Sequence, residues 1–264
     1  TMNMGSSLEK LSTGLRVNKA ADDAAALMIS TSLRADIASM QQAVRNTADS
    51  MSLLNVAEGA INTSQQMLVR MRELAIESST ATIGSAQRAS INQEFTALKT
   101  EIDRVSLTTE FNGQQLLDGS LGSGVAAASH LNVQVGIQNS VNSRIDLNNA
   151  VDLTNLDTTA LGISATDIKT AGSSLTALDA IDSAIDTITA ARGNIGAVQN
   201  RLSMTINNLE TTVENTTAAD SNLRDADMAK EISKFTRDQI LVQASTSMLS
   251  QANLIPQSVL QLLQ

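Results

Sequence analysis

The sequence predicts a mainly α protein: an elongated, antiparallel, coiled-coil-like helical rod with a small β-hairpin region, plus a terminal helical domain. Three observations predict it. The apolar 42% of the 264 residues is Ala, Leu, Ile, Val and Met, with three Phe and no Trp or Tyr. A globular core usually draws on aromatic area, whereas a helix seam does not need it. Apolar residues also recur at alternating steps of three and four over long stretches, the spacing of a coiled-coil-like seam. Finally, a middle region rich in Gly, Asn, Ser and Asp separates two such stretches.

Taken in order, Leu8, Leu11 and Leu15 step three and four ahead of "GLRVNKAADDAA". From Leu33 the same spacing runs through Ile37, Met40, Val44, Thr47, Met51, Leu54, Glu58, Ile61 and Gln65 to Leu68. Residues 27–77 therefore read as one helix of about 75 Å. A shorter path runs from Ile91 through Phe95, Leu98 and Ile102 to Val105. Between Phe111 and Gly172, "LNVQVGI" and "SRIDLNN" alternate apolar and polar residues as half-buried strands do, joined by "QNSVN". This hairpin is where the chain turns back. A second long helix covers 174–219, on the path Leu178, Ile181, Ile185, Ile188, Arg192, Ile195, Gln199, Leu202, Ile206, Leu209, Val213. Last come Met228, Ile232, Phe235, Val242 and Leu249 on one path, with Pro256 beyond them expected to kink it. Both chain ends are apolar and helical, so they are expected to bury against each other or against other subunits.

Composition excludes several function classes. With 18 basic against 27 acidic residues the net charge is −9, and no stretch is basic enough to track phosphates. No apolar run is long enough to span a bilayer. The absence of Cys removes thiol nucleophiles, disulfides and thiolate metal sites. His130 is the only His, and "HLNV" is not a two-ligand helical arrangement, so it reads as a polar residue at the start of a strand. Asp225, Asp227 and Glu231 could offer oxygens to a hard cation, but acids just before a helix more often cap it, as do Asp22 and Asp23. Gly193 and Gly196 share a helix face and suggest close helix approach. Met40, Met51, Met67 and Met71 read as seam packing. No catalytic, cofactor or metal site is expected, and the chain is not expected to be an enzyme.

Four stretches carry a family resemblance. "LEKLSTGLRVNKAADDAAALMIS" (8–30), "LLNVAEGAINTSQQMLVRMRELAIES" (53–78) and "EIDRVSLTTEFNGQQLLDG" (101–119) resemble the amino-terminal region of bacterial flagellin. "ILVQASTSMLSQANLIPQSVLQLL" (240–263) resembles its carboxy-terminal signature. The resemblance implies a short form lacking large outer domains and the extreme amino terminus. It divides the chain into a terminal polymerisation domain (1–24 and 224–264), a helical rod with β-hairpin (25–149 and 174–223) and a short variable insert (150–173).

The function so implied is that of a structural subunit polymerising into the extracellular flagellar filament for motility, secreted to the flagellum or cell surface. The expected polymerisation and chaperone surface is Leu8, Leu11, Leu15, Ile232, Phe235, Leu241, Leu249, Leu260 and Leu263. Implied partners are further copies of the chain and, at the carboxy-terminal helix, the family's export chaperone. Arg70, Leu74 and Glu94 fall where the family meets the innate Toll-like receptor five. The alternatives are a cell-surface adhesin or polysaccharide-binding protein on the same scaffold, and a helical rod of hook-junction or phage-tail type.

Overall fold

A computed structural model describes residues 2–262, with side chains described for 4–252. The described residues form six α-helices and two short antiparallel strand pairs, with the predicted long helices and hairpin in the predicted order. They are α1 (Met2–Thr13), α2 (Ala24–Ser79), α3 (Ser85–Thr108), β1 (Glu110–Phe111), β2 (Gln114–Gln115), β3 (Asn132–Gln134), β4 (Arg144–Asp146), α4 (Leu147–Val151), α5 (Ala171–Arg224) and α6 (Met228–Leu262). Helix α6 includes Pro256 within its bounds. The chain forms two compact units, residues 39–211 and residues 1–38 with 212–264.

In the unit formed by 39–211, the predicted periodicity becomes the core. On α5, Ser174, Ala177, Ile181, Ala184, Ile188, Ile195, Val198 and Leu202 are buried. They face Leu54, Ile61, Leu68, Met71 and Leu74 of α2 and Phe95 and Ile102 of α3 in one continuous cluster. Residues seven apart lie two helical turns apart on one face, hence Leu54, Ile61 and Leu68 on one helix and Ile181, Ile188, Ile195 and Leu202 on the other. The pairing is antiparallel: Gln199 Nε2 donates to Asn55 Oδ1 at 2.9 Å, Arg192 donates to Glu58 at 3.2 Å and to Gln65, and Arg72 Nε donates to Asp182 at 2.7 Å. Met40, Met67 and Met71 are buried as seam packing.

The hairpin β3–β4 has the register Asn132↔Asp146, Val133↔Ile145 and Gln134↔Arg144, inside the two alternating stretches. A second, smaller hairpin, β1–β2, was not expected. It turns at Asn112 and Gly113, both at positive φ (53° and 78°), which is the backbone of the two-residue turn that favours Asn-Gly. Segment 150–173 contributes Leu153, Leu156, Leu161, Ile163 and Ile168 to the core. Asp103 accepts from Thr158 N at 2.8 Å, and Lys99 Nζ donates to the carbonyls of Ser164 and Thr166 at 2.7 and 2.9 Å. The expectation of close approach at Gly193 and Gly196 is overturned: a Cβ on either would meet nothing within 4 Å. Helix α5 tolerates both glycines because its other residues keep the seam.

In the unit formed by the chain ends, the two linkers zip together. Gly14, at φ +71°, closes α1. Leu15 then bridges Asp225, with Arg16 N donating to Arg224 O at 2.6 Å and Ala226 N to Gly14 O at 2.9 Å. The capping reading holds for Asp23 and Asp227 and not for Asp22, Asp225 and Glu231. Asp23 accepts from Ala26 N at 2.9 Å at the start of α2, Asp227 accepts from Lys230 N at 3.1 Å at the start of α6, and Asp22 accepts from the backbone of Asn18 and Lys19. Asp225 takes the Ser221 hydroxyl, and Glu231 lies 3.7 Å from Lys234. Buried Ser30 donates to Asp220 across the α2–α5 pair.

Candidate assembly surface

Helix α1 packs against α6, but the two are badly matched in length. Twelve residues against 35 correspond to about 18 Å against about 52 Å at ~1.5 Å per residue. Helix α1 can therefore cover only part of its partner. From Gln239 to Ala252 every side chain is exposed except Val242, which is half-buried. Leu241 and Met248, seven apart, lie on one line, and Val242 and Leu249 lie on the adjacent one. Leu241, Met248 and Leu249 are 56%, 70% and 63% exposed. A stretch of helix with several large apolar residues in water is a recognisable docking surface.

The predicted surface residues sort along this gradient. Ile232, Leu241 and Leu249 are exposed, as is Leu8 on α1. Leu11, Leu15 and Phe235 are half-buried, Leu15 being tied into the linker bridge. Leu260 and Leu263 lie outside the residues whose side chains are described. Exposed Met28 on α2 and Met204 on α5 add apolar surface that periodicity did not single out, because both fall off the seam paths.

On the other unit, Arg70 and Glu94 form an exposed pair, Nε to Oε1 at 2.8 Å, joining α2 to α3, and Arg70 also reaches Glu73 at 3.0 Å. Leu74, expected beside them, is in the core at 1% exposure.

His130 is a strand-adjacent polar residue as expected, but its side chain is nearly enclosed, at 6% exposure. Nδ1 lies 2.7 Å from Asp146 Oδ2 and Nε2 lies 2.9 Å from Val125 O. The Asp146 hydrogen bond, then the Val125 carbonyl, raise the imidazole pKa above its ordinary value against the opposing effect of burial. Burial pushes the Asp146 carboxyl up, but the hydrogen bonds from His130 and Asn149 outweigh it and leave it below its ordinary value. Among the described residues, no cluster of His, Cys, Asp and Glu could hold a metal ion, and no helix is long and apolar enough to cross a membrane.

Two parts of the chain match known protein families. Residues 1–122 match the bacterial flagellin N-terminal helical region, and residues 178–263 match the bacterial flagellin C-terminal helical region. A flagellin of Halalkalibacterium halodurans is 45% identical over 97% of this chain and 90% of its own length. The crystal structure of Bacillus cereus flagellin is similar with a TM-score of 0.52 at 29% identity, covering 67% of this chain and 94% of that one. A Vibrio parahaemolyticus protein described as flagellar hook-associated reaches a TM-score of 0.61 over 77% of this chain and 100% of its own, at 16% identity, a likeness of fold alone.

Proposed function

The chain belongs to the bacterial flagellin family, and from that premise we propose that its terminal helices are the surface through which it polymerises. The protein is a structural subunit of the flagellar filament, the extracellular appendage that drives motility, and the family is structural rather than enzymatic. The observation that carries the assignment to the terminal helices is the uncovered run from Gln239 to Ala252 on α6. A filament needs head-to-tail contacts that do not close into a ring, and long helices whose apolar faces remain open supply them. At about 25 cal/mol per Å², a few hundred Å² buried per contact contributes several kcal/mol before ordering costs.

The polymerising part is 1–24 with 224–264, and the rod is 25–149 with 174–223. The same carboxy-terminal helix is the segment that an export chaperone shields before secretion, since its exposed leucines are a liability in a crowded cytoplasm. The comparisons give the surface-polymer alternative no support. Negative-stain electron microscopy after seeding with filament fragments tests the reading: long uniform filaments are expected, and persistent folded monomers would overturn it.

The exposed Arg70–Glu94 pair supports a second role for this face, as the contact for Toll-like receptor five, with Leu74 acting from the core by holding α2 in place. Arg70→Asp should abolish receptor activation without unfolding the chain. Unchanged signalling would remove this role.

A further inference from the structure

The arrangement around His130 has a proton count built into it. Its two ring nitrogens face two acceptors, a carboxylate oxygen at 2.7 Å and a backbone carbonyl at 2.9 Å. A carbonyl oxygen can only accept, and an ionised carboxylate can only accept. Neutral imidazole carries one N–H, so it can satisfy one of the two and must turn a lone pair toward the other. Only the imidazolium donates to both.

The same pieces of chain also meet through Leu147 N to Leu131 O at 3.0 Å, Leu153 N to Leu121 O at 3.1 Å and Ser123 N to Asp152 Oδ1 at 2.9 Å. Val125 and His130 flank a short 3-10 turn, Ala127–Ser129. Asp146 ends β4 and caps α4, accepting from Asn149 N at 3.2 Å. Beside it, buried Asn148 accepts from Leu131 N at 2.8 Å and donates to Ser120 O at 2.7 Å and Gly122 O at 3.2 Å. Asn148, Asp152 and the backbone of Leu147 and Leu153 thus fix residues 120–123 and 131, and the His130 side chain ties the intervening residues 124–130 to Asp146. Asp146 is the charged group acting on the imidazole. On the adjoining segments, Asp118 and Asp152 are turned to the backbone N–H groups of Ser120 and Ser123, and Arg144 bonds away to Gln134 and Asn139.

We propose that His130 is a proton-dependent clamp that holds residues 124–130 against the β4–α4 junction while it is charged and releases them when it loses its proton. Because the folded state raises the imidazole pKa, the clamp contributes fully below the unfolded value of about 6.5 and is lost as pH rises through the folded value. Asp146 sets the other edge. Its folded pKa is lowered, so its contribution is present above about 3.9 and is lost as pH falls through the folded value. The segment is held most tightly between these limits and loosens on the alkaline side.

The protein's single His makes the test direct. Long-range 1H–15N spectra of the full chain, labelled and titrated from pH 5 to 10, report one imidazole without assignment. Both nitrogens should be protonated at the acid end of the titration, with a midpoint above the ordinary value. Hydrogen exchange, corrected for intrinsic rates, should lose protection in residues 124–130 across that midpoint by about tenfold, the loss of one charge-assisted bond. The pH step should vanish in His130→Gln, and Asp146→Asn should move the midpoint down. A midpoint at or below the ordinary value, or protection that ignores the titration, overturns the clamp. If either variant fails to fold, the titration and exchange of the unsubstituted chain still decide.

Discussion

Replacing both Leu241 and Leu249 by Gln should cripple assembly while leaving the isolated chain as stable as before. Fully burying a Leu side chain is worth about 1.5–3 kcal/mol. These two are 56% and 63% exposed, so somewhat more than half of that remains to be gained, about 1–2 kcal/mol each. The pair then contributes about 2–4 kcal/mol per subunit added, and every 1.4 kcal/mol is tenfold. The critical concentration for polymerisation should rise roughly thirty- to several-hundred-fold. Gln has nearly the helix propensity of Leu, so α6 itself is not weakened, and exposed substitutions of this kind change stability by about 0.5 kcal/mol or less. The assay is the protein left in the supernatant after sedimentation of seeded filaments, run beside a thermal melt of unassembled chain. An unchanged critical concentration would refute the assignment of this face. A large fall in the monomer's melting temperature would refute the claim that it is uncovered.

Four further outcomes follow from the packing. Asn148→Ala removes one hydrogen bond each from Leu131 N, Ser120 O and Gly122 O and should cost roughly 2–4 kcal/mol by denaturant melts; a loss below 1 kcal/mol would mean that the hub rearranges. Arg192→Ala, which takes from Glu58 and Gln65 of α2 their shared partner across the seam, should cost about 2 kcal/mol, whereas replacing all three by Leu should be close to neutral, compared in one double-mutant-type cycle. Gly193→Ala and Gly196→Ala, where a Cβ meets nothing, should each stabilise by about 0.5–1 kcal/mol. Gly136→Ala should destabilise by about 1–3 kcal/mol, since its Cβ would fall 2.8 Å from Ser143 Cβ.

Much of the fold was legible because a helix seam writes itself in spacing. The long helices expected at 27–77 and 174–219 are found at Ala24–Ser79 and Ala171–Arg224, with capping acids close to where they were placed. Even the polar stops were informative. Glu58 and Gln65 interrupt one path and Arg192 interrupts the other, and they are one another's partners; each path alone shows a defect, and only the pairing shows its complement. The β1–β2 hairpin had a signal in Asn112-Gly113 that went unused, because two-residue strands have no period to read. The glycines at 193 and 196 misled because spacing says which residues share a face, not whether another helix lies opposite.

By itself the sequence determined the order of the long helices and the β3–β4 hairpin, most seam residues, the apolar character of both ends and, through its motifs, the family. These are local or periodic properties, set by backbone propensity and by which side of a helix must leave water. Only the tertiary structure decided which apolar residues remain in water. Leu74 and Leu241 are the same side chain on the same kind of helix, yet one is 1% and the other 56% exposed. The difference lies in what is packed against each helix. Likewise His130 is one polar letter before a strand until the fold brings Asp146 and Val125 O to its two nitrogens, because contacts between distant residues depend on where the chain turns and not on what it spells.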